Sequence, residues 1–72
     1  MASVDNALVA QWRAKLAADA FADAASFKAA GDLQQSGDAY GQGIWLRDQA
    51  DARTIRGIYR SSYRAGLLKA VA

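Results

Sequence analysis

Apolar residues recur at spacings of three and four along most of this chain, and that period constrains its fold more than any other feature. Val9, Trp12, Leu16, Ala20, Phe27 and Ala30 share one face of a helix, interrupted only by Asp23. Trp45, Ala52, Ile55, Tyr59, Ser62, Gly66 and Ala70 form a second stripe, broken at Asp48. No proline stops either run, and a proline inside a helix would cost about 3 kcal/mol. Alanine, the best helix former, fills 18 of the 72 positions. Ser3 or Asp5 can cap the first helix, and Gly31-Asp32 reads as a helix stop followed by a new cap. Helices are therefore predicted near residues 4–30 and 44–70. In the alternative reading of the second stripe, a new helix starts with Asp48 or Asp51 as its N-cap.

The segment from Asp32 to Gly43 carries mixed signals. Asp32-Leu33-Gln34-Gln35 fits a capping box, and Leu33, Gly37, Tyr40 and Ile44 continue at helical spacing. Gly37, Gly41 and Gly43 oppose a helix, each by about 1 kcal/mol relative to alanine. A short helix or a pair of turns is expected over residues 32–43. The fold class is thus all-α: an antiparallel helical hairpin of two long helices with a short middle segment, making one domain of residues 1–72. With the turn centred near Gly37, Trp12 lies opposite Ser62 and Gly66, Leu16 lies opposite Ile58, and Asp23 comes near Arg47 as its expected partner. Phe21 is expected to point away from the first stripe.

Ala24, Phe27, Gly31-Asp32, Ser36, Ala39-Tyr40, Gly43 and Ile44 resemble one tetratricopeptide unit over about residues 20–46. The resemblance implies helix-turn-helix packing there and carries no function with it. No second copy follows, and such solenoids need about three repeats to bury a continuous core.

A chain of this length buries only roughly 60% of its unfolded surface, so it needs reinforcement. Without cysteine it has no disulfide, and without cysteine or histidine it lacks the preferred zinc ligands. No metal or cofactor is expected. Close helix packing and association with another chain remain. The absence of histidine, cysteine and glutamate also removes the usual general bases and nucleophiles, and the chain is expected not to be an enzyme. MASVDNALVA has neither a basic start nor a sustained apolar run, so no secretory signal is expected. No stretch approaches the roughly 18 apolar residues of a membrane span. The cytoplasm, or a particle assembled in it, is the expected location.

Two surfaces carry the functional expectations. Phe21, Tyr40, Trp45, Tyr63, Leu67 and Leu68 exceed what a two-helix seam can bury, and aromatic residues of this kind anchor protein interfaces. They point to an interaction or assembly module, for example a small phage-type structural subunit or an inhibitor, whose partner is another protein or a second copy. Arg53, Arg56, Arg60 and Arg64 follow one another at spacings of three, four and four. Guanidinium groups in such a row suit phosphates, which makes nucleic acid the alternative partner. An ordinary solvated face opposite Ile55, Tyr59 and Ser62 is the competing account of that row. Charge is divided to match: five Asp against three cations give −2 over residues 1–38, and two Asp against six cations give +4 over residues 39–72.

Overall fold

The computed structural model describes residues 4–64, with side chains from 7 to 62, and all its regular elements are helices. Helix α1 runs Val4–Ala29, α2 Leu33–Asp48 and α3 Ala52–Arg64. Two of the expected features change. The middle segment is no short piece but the first two-thirds of a 16-residue helix. The predicted 44–70 helix is cut after Asp48, and its stretch beyond Arg64 lies outside the described residues.

The ends of the helices follow from local chemistry. Gly31 takes φ +82°, a left-handed conformation that glycine adopts without a Cβ penalty. Its N–H donates to the Lys28 carbonyl at 3.0 Å, and the Asp32 N–H donates to the Phe27 carbonyl at 2.9 Å. These two bonds satisfy carbonyls that the end of α1 would otherwise leave bare. Asp32 then caps α2. Its Oδ1 accepts from the Gln35 backbone N–H at 3.1 Å, and its Oδ2 accepts from Gln35 Nε2 at 2.6 Å. Asp51 caps α3, accepting from the Thr54 N–H at 2.8 Å, so of the two acids able to start this helix Asp51 does so.

Both capping carboxylates sit below their ordinary value of 3.8. Asp32 is lowered by the Gln35 side chain and backbone bonds, and Asp51 by the Thr54 backbone and side-chain bonds. A depressed carboxylate stabilises the fold above its unfolded value, and that stabilisation is lost as pH falls through the lowered one. The contribution of the two caps to helix content is therefore expected to be fully present at neutral pH. The fall should come below about pH 4. A circular dichroism titration with its midpoint above about pH 5 would contradict the capping roles.

Helices α1 and α2 run antiparallel, as three contacts fix. Arg13 bonds Leu46, the Phe21 ring covers Gly43, and the Ser36 hydroxyl donates to the Ala24 carbonyl at 2.7 Å. The turn therefore lies at residues 30–32 and not near Gly37. Residues 20–46 do form the helix-turn-helix that the tetratricopeptide-like pattern implies. Trp12 stacks on Tyr59, with ring centroids 4.9 Å apart and planes 18° apart. Gly66 lies outside the described residues. Asp23 is exposed, and Arg47 pairs instead with its neighbour Asp48 at 2.9 Å. Exposed to water, the Asp23 carboxylate does not need the arginine.

The core joins all three helices: Val9, Leu16 and Ala17 from α1, Leu46 from α2, Ala50 from the connection, and Ile55 and Tyr59 from α3. Trp12, Ala20, Phe21, Trp45, Ala52 and Ile58 pack around it. Ala17 and Ala24 are buried while Ala30 is exposed, so the expected α1 stripe is turned along its second half. The cause is that α1 serves two neighbours, and its buried face spans both seams.

Gly43 explains how a glycine-bearing segment holds as a helix. A Cβ built there would lie 2.6–3.0 Å from three atoms of the Phe21 ring, so the ring rests directly on the α2 backbone. Phe21 thus points away from the Trp12 edge of α1, as expected, and packs there against α2 beside the core. A Cβ at Gly37 or Gly41 would meet nothing within 4 Å. The same substitution should then have opposite signs along one helix. Gly37→Ala is expected to stabilise by about 0.5–1 kcal/mol from propensity alone. Gly43→Ala gains that propensity but overpacks against Phe21 at about 1–3 kcal/mol, giving a net loss. Thermal melts of the two variants moving the same way would contradict the contact.

Candidate protein interaction surface

The end of α2 shows how this surface is held. The N–H groups of Gln49 and Ala50 both donate to the Trp45 carbonyl at 2.9 Å, which leaves the Leu46 carbonyl without its usual helical donor. Arg13 supplies one from α1, its Nη1 donating at 2.7 Å across 33 residues of sequence. A cation at a helix C-terminus is also favoured by the helix dipole. Arg13 therefore ties α1 to the α2–α3 junction and also lowers Asp51 electrostatically. No local sequence signal marks it for this task, because the acceptor becomes bare only when α2 ends as it does.

Above that junction, one flank of α2 faces outward. Leu33 is 69% exposed and Tyr40 57% exposed, with Gly37 between them also open and Ile44 half-buried beyond. The Tyr40 ring meets Phe21 at 5.3 Å between centroids, tilted by 53°, and the Arg47 guanidinium sits 5.8 Å over the other end of this cluster on Phe21. Asp48 holds Arg47 in place with two bonds, at 2.9 and 3.0 Å. That pairing raises the arginine above its ordinary value and lowers the aspartate, so both stay charged at neutral pH. Phe21 and Trp12 lie nine residues apart, two and a half turns, and so on opposite edges of α1. Helix α3 covers the Trp12 edge through Tyr59, which leaves the Phe21–Tyr40 edge without a covering helix among the described residues.

The structure thus gathers two of the expected interface residues, Phe21 and Tyr40, and separates a third. Trp45 is half-buried against the core, next to the buried Leu46. The side chains of Tyr63, Leu67 and Leu68 lie outside those described. Leu33 joins Tyr40 on the flank. Its signal was the Leu33, Gly37, Tyr40, Ile44 spacing, which marks a helix face without saying whether that face is covered.

No family model, curated protein or solved structure matches this chain.

The arginine row occupies α3. Arg53 and Arg60 are exposed and Arg56 is half-buried, while the side chain of Arg64 lies outside those described. Among the described residues no group of three or more metal-ligating side chains comes together, and no helix is long and apolar enough to cross a membrane.

Proposed function

We propose that this protein is a non-enzymatic interaction or assembly module that completes its core by self-association or by docking on a partner protein. The observation that carries this reading is the exposure of Leu33 and Tyr40 on a flank continuous with Phe21. Tyrosine and arginine are among the residues that dominate interface energies, and phenylalanine is enriched at interface cores. Residues of this size gain about 1.5–3 kcal/mol each when fully removed from water. A chain too short to bury much surface alone gains most from a second copy that covers such a flank. A small structural subunit of a larger particle, or a small inhibitor, would use the surface in this way.

Sedimentation equilibrium at low and high salt tests the reading. The mass is expected to rise above that of one chain with concentration, and to persist at high salt because the contact is apolar. Leu33→Gln combined with Tyr40→Gln should restore the mass of one chain while circular dichroism shows the helices intact. A mass of one chain at millimolar concentration and both salts would overturn self-association.

A further inference from the structure

The other surface to account for is the row on α3. We infer that α3 binds the phosphodiester backbone of nucleic acid through Arg53, Arg56 and Arg60, a site separate from the α2 flank and on the opposite edge of α1. Three other cations are engaged within the protein: Lys15 pairs with Asp19 at 2.9 Å, Arg13 caps α2, and Arg47 is held by Asp48, whereas Lys28 is exposed and isolated from the row. Arg56 and Arg60 have no acid partner among the described residues, and Arg53 only lies near the Asp51 cap. The whole of Ala52–Arg64 contains four arginines and no acid, a uniform positive charge that α1 and α2 do not share.

The character of the row selects the partner. A lipid surface needs an apolar helix face to insert, and here that face is spent: Ile55 is fully buried and Tyr59 is stacked under Trp12. A protein interface needs aromatic anchors among its charges, and α3 presents none outward among the described side chains. A regular polyanion needs neither. Arg53 to Arg60 spans two turns, about 10.5 Å, with the open Gly57 between them, so a phosphate chain can approach the helix closely. Arginine forks onto phosphate through two donors at once.

Three neutralised phosphates predict a slope of about −2.7 for log affinity against log salt on a duplex, at roughly 0.9 per phosphate. Affinity should then fall about 40-fold between about 50 and about 200 mM salt, from a micromolar-range start. Fluorescence anisotropy with a labelled duplex reads this directly. Arg56→Gln with Arg60→Gln should weaken binding at low salt and flatten the slope to about −0.9, with the helices retained by circular dichroism. Arg53→Gln with Arg60→Gln, both at exposed positions, repeats the test should Arg56 prove needed for folding. Lys15→Gln with Lys28→Gln removes the same charge elsewhere and should leave the slope unchanged. Binding without salt dependence, equal loss in the lysine variant, displacement of the duplex by polyglutamate at equal charge, or tighter binding to anionic phospholipid vesicles would each overturn the proposal. Sedimentation reports on the α2 flank independently, so the two readings fail separately.

Discussion

Ile55→Ala is expected to cost about 2–5 kcal/mol, the range for truncating a buried aliphatic side chain whose cavity cannot collapse. Among the described residues Ile55 is the one side chain with no exposure at all, and it stands where α1, the α2–α3 connection and α3 meet. A protein of this size has about 4–11 kcal/mol of stability in total, so the loss takes a large share of it. Each kcal/mol moves the melting temperature by about 4–8 °C in so small a domain. The melt should therefore shift downward by at least about 8 °C. The physical consequence is specific to α3. A 13-residue helix is marginal in water on its own, so losing its anchor melts it as well as freeing it. Helix content should fall before the α1–α2 pair unfolds, because Leu16, Ala17 and Leu46 remain in place. A melting temperature within a degree or two of the parent would show that Ile55 does not anchor α3.

Trp12→Ala should cost about 3 kcal/mol, the low end for truncating a large aromatic because the indole is only half-buried. What it covers is Tyr59, itself 8% exposed. The two rings lie nearly parallel at 4.9 Å, an arrangement that adds about 0.5–1.5 kcal/mol beyond the area buried. A double-mutant cycle of Trp12→Ala and Tyr59→Ala isolates that part. A coupling of about 1 kcal/mol supports the stack, whereas strict additivity would place the two rings apart. Coupling between Trp12 and Ser62 instead would restore the register first expected from sequence. The same cycle bears on function, because loss of the stack frees α3 and with it the arginine row, while leaving the Leu33–Tyr40 flank on α2 untouched.

The sequence by itself determined the features that act over a few residues. The stripes set an all-helical chain, Gly31-Asp32 set where α1 stops, Asp32 with Gln35 set where α2 starts, and Asp51 was one of two caps able to start α3. Each depends on neighbours within one or two turns, and a local window contains all the atoms involved. The aromatic excess was legible in the same way, though not which of its members stay exposed.

Only the tertiary structure decided how those pieces combine. Whether residues 32–43 form a helix depends on Gly43 accepting the Phe21 ring, a contact between positions 22 apart, against a local propensity that three glycines weaken. That contact seats α2 on α1, while the local stop at Gly31-Asp32 places the turn between them. How the helices meet also decided that Trp12 stacks on Tyr59 and that Asp23 is exposed. The exposure of Leu33 beside Tyr40 and the bond from Arg13 to Leu46 likewise depend on how the helices meet. Helical period says which residues share a face, but burial is a property of what that face meets, and what it meets lies outside any local window.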